Sequence, residues 1–310
     1  MARLLILLAS GATLSYIFSH LLLLRAKHSG AVVKEELQAV QKEKEGTPLI
    51  GGVVFVLATI LVSLFDPQLS DPALYIPLVA MVLFSTIGYI DDRTKQRRNS
   101  SDGITTQSKF LLQALAAIII LLLAAQAGVL TTTLALGPFS MNLHAGYYLF
   151  AFCYLLYFVN AVNIVDGLDS LAAGASLPLL LLVVATAFSR LTPTSTALLG
   201  AVVIFLLFNK YPARYFMGDL GSHALGAYIG ISALIMGIEL MIFLAGGIFL
   251  VELASSLIQI ISIRRFGRKV FTIAPLHHAY ELQGVGETTI VRRFVLISWI
   301  CGVLSLLILW

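Results

Sequence analysis

Within ten residues, Asn160-Ala161-Val162-Asn163-Ile164-Val165-Asp166-Gly167-Leu168-Asp169 sets two amides and two carboxylates between two apolar runs. Three further clusters share this excess of polar groups. Asp91-Asp92 follows Gly88-Tyr89-Ile90 and precedes a basic run; Gly218-Asp219-Leu220-Gly221 follows the apolar Tyr215-Phe216-Met217; and His277-His278 lies in Ala274-Pro275-Leu276-His277-His278-Ala279-Tyr280-Glu281. Several acids with scattered Lys, Arg and His, and no thiol ligands, suit a hard cation acting on phosphates. Magnesium takes one or two carboxylates and fills its other positions with water or phosphate oxygens. The residue types therefore predict phosphoryl transfer. The sequence contains no Walker loop and no kinase glycine loop, and adjacent histidines do not share a helix face as zinc-protease ligands do.

Each cluster also admits a plainer reading. Asp91 and Asp92 could be a solvated helix end, although two acids at a helix C-terminus oppose the macrodipole and call for a cation. Asn163, Asp166 and Asp169 could cap the next helix, a task that needs one such residue. Asp219 could be an N-cap, but glycines on either side let backbone approach a ligand, and a desolvated carboxylate at a helix N-terminus can hold a divalent cation carrying phosphates.

The elements that must position these groups are membrane helices. With 59% hydrophobic and 12% charged residues in 310 and a mean hydropathy of +0.94, the chain has more apolar side chain than one soluble core can bury. An all-α polytopic integral membrane protein with a single membrane-embedded domain over residues 1–310 is expected. Runs near the length that crosses a bilayer fall at Leu4–Leu24, Leu49–Phe65, Leu74–Ile90, Phe110–Ala127, Tyr147–Val159, Leu171–Ser189, Ala197–Asn209, Leu225–Gly237, Leu240–Ile263 and Ile290–Trp310. The first is too long for a signal-peptide core and lacks a cleavage site after it, so it reads as a retained helix. Cys153 and Cys301 lie inside apolar runs without metal-ligand spacing.

If all ten runs cross, 18 of the 20 Lys and Arg residues fall on one side, leaving Arg3 and Arg190 on the other. The positive-inside rule makes the basic side cytoplasmic and both termini extracytoplasmic. All four polar clusters then share the cytoplasmic face. The basic excess is a property of these loops and implies no nucleic-acid partner. On the outer side, Thr131 to Gly146 is β-rich and broken by Gly137-Pro138, predicting a small hairpin, with His144 alone in it.

The order and wording of these segments resemble the polyprenyl-phosphate N-acetylhexosamine-1-phosphate transferase superfamily. The matching segments are Lys44 to Gly52, Gly88 to Asp92, Lys109, Asn160 to Asp169, Asn209 to Asp219 and Pro275 to Gly284. The Ala-Pro-x-His-His form of the last resembles the muramoyl-pentapeptide branch, with Ala279 where that branch often has a third histidine and Leu49-Ile50 where Thr-Met is usual. The resemblance implies a multi-pass enzyme of the bacterial cytoplasmic membrane. It would join undecaprenyl phosphate to the sugar phosphate of UDP-N-acetylmuramoyl-pentapeptide, giving lipid I and UMP, with Mg2+ as cofactor.

It further implies Asp219 as the metal ligand, with Asp91 and Asp92 beside the metal and the lipid phosphate. Asn163, Asp166 and Lys109 would shape the nucleotide and diphosphate site, with Lys44, His277 and His278 nearer the sugar phosphate or peptide. Asn160, Asn209 and Phe216 complete the expected substrate-binding set, and homodimer formation is a family expectation. Glu252 marks either a kinked or water-lined place in its apolar run or a buried structural carboxylate. Two other functions fit less closely: a sibling transferase for another lipid-linked sugar, and an ion-coupled transporter, whose site would lie at the bilayer midplane in broken helices.

Overall fold

The computed structural model describes residues 2–25, 30–33, 35–186 and 192–309. Lys27, Lys34, Arg190, Ser189 and Trp310, used in the charge and span assignments, lie outside them. The chain folds as α1 (Ala2–Arg25), α2 (Gln38–Gln41) between two 3-10 turns, α3 (Val53–Leu64), α4 (Pro72–Arg98), α5 (Thr106–Gln126), β1 (Thr133–Leu136), β2 (Phe139–Asn142), α6 (Gly146–Val165), α7 (Leu171–Thr186), α8 (Thr192–Asn209), α9 (Gly218–Met236), α10 (Glu239–Ala245), α11 (Gly247–Phe266), α12 (Leu276–Leu282) and α13 (Glu287–Leu309). The expected hairpin is present, antiparallel, with Thr133 opposite Asn142 and Leu136 opposite Phe139.

Among the described residues every apolar run is helical, and six helices are long and apolar enough to cross a membrane: α1, α4, α5, α6, α11 and α13. Helices α3, α7 and α8 are apolar but shorter. The 12 residues of α3 rise about 18 Å, against roughly 30 Å of hydrocarbon. Length and composition thus support six crossings of the ten expected. The ninth run is not one helix: it breaks at Gly246 into α10 and α11.

Two helix boundaries differ from expectation in ways that bear on the chemistry. Helix α4 runs past Ile90 to Arg98, so Asp91 and Asp92 lie inside it and not at its C-terminus. Lys95, Arg97 and Arg98 fill the last turn, where cations favour the dipole, and Lys95 meets Asp91 at i+4 and Asp92 at i+3. Helix α9 starts at Gly218, seven residues before the apolar run, which places Asp219 in its first turn.

Helix α9 is the centre of the bundle. Every residue from Gly218 to Leu234 is buried, and its Gly, Ala and Ser positions let neighbouring backbones come close. Gly88 of α4 lies against the Asp219 carbonyl, where any Cβ would overlap it. By contrast α5 and α13 present leucines and isoleucines such as Leu111, Leu122, Leu296 and Leu307 to the outside, as helices facing lipid do. Helix α1 is held on α8 by Ser15, which donates to the Ala201 carbonyl at 2.9 Å.

Gly88→Ala is expected to push α4 from α9 and destabilise the protein by roughly 1–3 kcal/mol, the usual cost of overpacking. A lowered thermal midpoint in detergent checks it; an unchanged midpoint would show that the two backbones have slack.

Candidate active site

The head of α9 is capped from another helix. Its own N-cap position, Met217, offers no side-chain acceptor. Asp92 of α4 supplies one: Oδ1 accepts from the Asp219 N–H at 3.1 Å and Oδ2 from the Leu220 N–H at 2.9 Å. Gly218, at φ +71°, turns the chain into the helix against Asp92 and the Leu49 carbonyl, with no room for a side chain. Asp219 is therefore not the N-cap; it stands two residues past that position, with its carboxylate free of that duty.

Asp91, Asp92 and Asp219 are buried, and each offers an oxygen within 4.8 Å of the others. Three carboxylates this close repel unless cations intervene. Lys95 does so, 2.8 Å from Asp91 Oδ2 and 3.0 Å from Asp219 Oδ1. Lys109, at the start of α5, bonds Asp219 Oδ2 and lies 3.9 Å from Asp91 Oδ2. Asp91 Oδ1 also accepts from the Ile104 N–H at 3.0 Å, and Asn163 donates to Asp219 Oδ1 at 3.0 Å and to Ser222 Oγ at 2.9 Å. Three negative groups against two positive ones, with oxygen the only donor element, fit a divalent cation, which Asp91, Asp92 and Asp219 could hold.

Asp166 closes α6 beside this cluster. Burial, with the charges of Asp219, Asp92 and Asp169 around it, pushes its carboxyl well above the ordinary carboxylate range.

A second network adjoins the first. Lys44 is buried, 2.7 Å from Glu287 and 3.3 Å from Asp169, and its ammonium lies 5.9 Å from the half-buried Phe216 ring. Asp169 also accepts from the Ala213 N–H at 2.9 Å. The loop carrying Phe216 is fixed by Asn209, which donates to the Tyr215 carbonyl and accepts from the Ser170 N–H. Backbone bonds then pair Phe216 and Met217 with Pro48, Gly51 and Gly52. Asn160 turns toward Gln113, bonding its side-chain oxygen at 3.0 Å.

The histidines stand on α12 against the α6–α7 turn, where Gly167 leaves room for both rings. Burial pushes His277 down to about 3, so the ring is neutral. Its Nδ1 lies 3.1 Å from Glu252 Oε2, while Nε2 is buried with no hydrogen-bond partner among the described residues. Glu252 is thus a buried partner of His277. His278 bonds Glu281 at 2.7 Å. Against its own burial, Glu281 is held below the ordinary range by His278 and Gln41.

Residues 74–237, just over half of the chain, match the model of glycosyl transferase family 4. The chain is 36% identical over 299 residues to the phospho-N-acetylmuramoyl-pentapeptide-transferase of Symbiobacterium thermophilum, covering 93% of this chain and 88% of that one. It is 34% identical to the protein of the same name from Chlamydia trachomatis, over 88% of this chain and 86% of the relative. The chain belongs to glycosyl transferase family 4. The family match spans α4 to α9 and so holds Asp91, Asp92, Lys109, Asn163, Asp166 and Asp219, while Lys44 and the histidines lie outside it.

Sequence reasoning passed over Lys95, counted only as part of a basic run, although its i+4 and i+3 spacing from the acids was visible. Gln113, His223, Glu281 and Glu287 carried no local signal; each acquires its role through a partner far along the chain.

Asp92→Asn replaces one of two N–H acceptors with an NH2 group and should lower the thermal midpoint, because an unpaired buried backbone group costs about 1–3 kcal/mol. Asp91→Asn keeps an oxygen for Ile104 and should be milder; equal effects would contradict the cap. His277, neutral when folded, takes up a proton on unfolding below its ordinary value of 6.5. Its contribution is complete above that value and is lost as pH falls toward 3. His277→Gln should flatten that acid limb in unfolding midpoints recorded from about pH 4 to 8.

Proposed function

We propose that this chain transfers phospho-N-acetylmuramoyl-pentapeptide from its UDP derivative to undecaprenyl phosphate, giving lipid I and UMP, with magnesium, at the cytoplasmic face of a bacterial inner membrane. The observation that carries it is the meeting of Asp91, Asp92 and Asp219 within 4.8 Å, faced by Lys95, Lys109 and Asn163, in a chain whose relatives bear that activity's name over nine-tenths of its length. The charge bias of the loops supports the cytoplasmic assignment.

Two phosphates must approach one another, and their repulsion is the main barrier. When bound, magnesium would spread and neutralise that charge. Lys95 and Lys109 each have three donors, so either can turn from a carboxylate to a phosphate oxygen as substrate arrives. Asn163 holds the Asp219 carboxylate in orientation. The exposed side of Phe216, beside Lys44, offers a flat face for the nucleotide base. His277, held by Glu252 and packed on Gly167, backs His278, which with Glu281 lines the sugar or peptide end.

The second pKa of a phosphate monoester is about 6, so the lipid phosphate is ionised at neutral pH without a general base. Its oxygen attacks the sugar-bearing phosphorus; the bond from that phosphorus to the bridging oxygen breaks, and UMP departs with the electron pair. The geometry favours this direct route over an aspartyl-phosphate. Both oxygens of Asp92 already hold backbone N–H groups, and those of Asp91 hold Ile104 and Lys95.

Exchange of labelled UMP with a panel of UDP-sugars tests the reading. UDP-N-acetylmuramoyl-pentapeptide should be the preferred substrate, and a preference for another UDP-N-acetylhexosamine would assign the chain to a sibling reaction. Asp219→Asn should cut turnover by about 10³-fold or more; a normal rate at low magnesium would remove Asp219 from the metal site.

A further inference from the structure

Beneath the carboxylates lies a second layer of polar side chains that the reaction does not use. Three helices each contribute one residue to the upper layer and one to the lower, a single turn apart. These are Lys109 and Gln113 on α5, Asn163 and Asn160 on α6, and Asp219 and His223 on α9. In the upper layer Lys109 and Asn163 both bond Asp219. In the lower, Asn160 donates to Gln113 Oε1 at 3.0 Å and Gln113 Nε2 lies 2.8 Å from His223 Nε2.

The bonds have a direction. Asn160 Nδ2 takes the Gln113 oxygen, which leaves the Gln113 amide N–H to point at His223. His223 Nε2 therefore accepts, and the imidazole proton sits on Nδ1. Gln113 and His223 are fully buried, at a depth where leucine or alanine is the ordinary choice and unpaired polar groups are costly. Gln113 is moreover the one polar side chain on the buried face of α5; the rest are Ala116, Ala117, Ile120, Leu121 and Ala124. Apolar contacts alone let a helix with so narrow a buried face roll or slide. A directed hydrogen bond does not.

The geometry points to Gln113 and His223 as positioning residues: the Asn160–Gln113–His223 chain fixes the rotation and height of α5 against α6 and α9, and so sets where Lys109 and Asn163 meet the Asp219 carboxylate one turn above. Its catalytic consequence rests on the transfer reaction proposed above. Its structural consequence does not.

The test uses the full-length protein in detergent, with His223→Leu, which keeps the packing and removes the acceptor, His223→Gln, which keeps an acceptor, Gln113→Leu, and the Leu–Leu double variant. Mn2+ affinity by electron paramagnetic resonance reports on the carboxylate layer without turnover, and UMP release gives kcat and KM. His223→Leu and Gln113→Leu should each weaken Mn2+ binding and lower kcat about tenfold, with KM for the UDP-sugar within about twofold. The double variant should be no worse than Gln113→Leu, because that single change already removes the bond that His223→Leu removes, and His223→Gln should restore most of both readouts. The proposal is overturned if His223→Gln is as impaired as His223→Leu, if the double variant's losses multiply, or if Mn2+ affinity is unchanged throughout. Should the wild-type protein release no UMP from any UDP-sugar, the transfer reading fails, and the Mn2+ series alone decides the positioning role.

Discussion

The capping of α9 by Asp92 is the contact on which the rest of the site depends. A carboxylate buried among helices is costly unless its oxygens are filled, and here the helix that needs an acceptor supplies the donors. A bond from one helix's interior to another's first turn sets their relative height. Gly88 permits the approach and Gly218 permits the turn into the helix. Once they are in place, Asp91 and Asp219 face each other from different helices, and the lysines follow. The pair of acids thus divides its labour: Asp92 builds the frame, and Asp91 lends its charge to the cluster.

The Asn160 to Asp169 turn joins this frame to the remaining inner segments. Asn163 reaches Asp219, Gly167 abuts His277 and His278, and the Asp169 carboxylate takes Lys44 and the Ala213 N–H while its own backbone N–H donates to Glu287. Ten residues therefore touch the metal-competent cluster, the histidine helix and the ion triad. The triad ties the turn to Lys44 near α2 and to Glu287 at the head of α13. The architecture suits a reaction that must bring a water-soluble nucleotide and a membrane-bound phosphate to one point, with apolar helices on the lipid side and charged segments above.

Much of this was legible in the residues. Acids and histidines at the edges of apolar runs are costly there, so their presence signalled a site. The membrane class followed from composition, and the outer hairpin from the Gly137-Pro138 break between β-rich stretches. Less was legible in the boundaries. The apolar count ended α4 at Ile90 and began α9 at Leu225, because hydropathy sees side chains and not the hydrogen bonds that let a helix continue through Asp91-Asp92 or begin at Gly218.

Residue types and their order along the chain were enough to indicate a polytopic helical protein whose polar clusters suit phosphate chemistry. Those properties are carried by residue type and spacing, which local physics reads directly. Packing was needed to show that Asp92 caps α9, that Lys95 lies against Asp91 and Asp219, that Lys44 is held between Asp169 and Glu287, and that Gln113 and His223 form a layer beneath. Each of these depends on a partner brought near by packing from up to 243 positions away, and no periodicity along the chain encodes such a pairing.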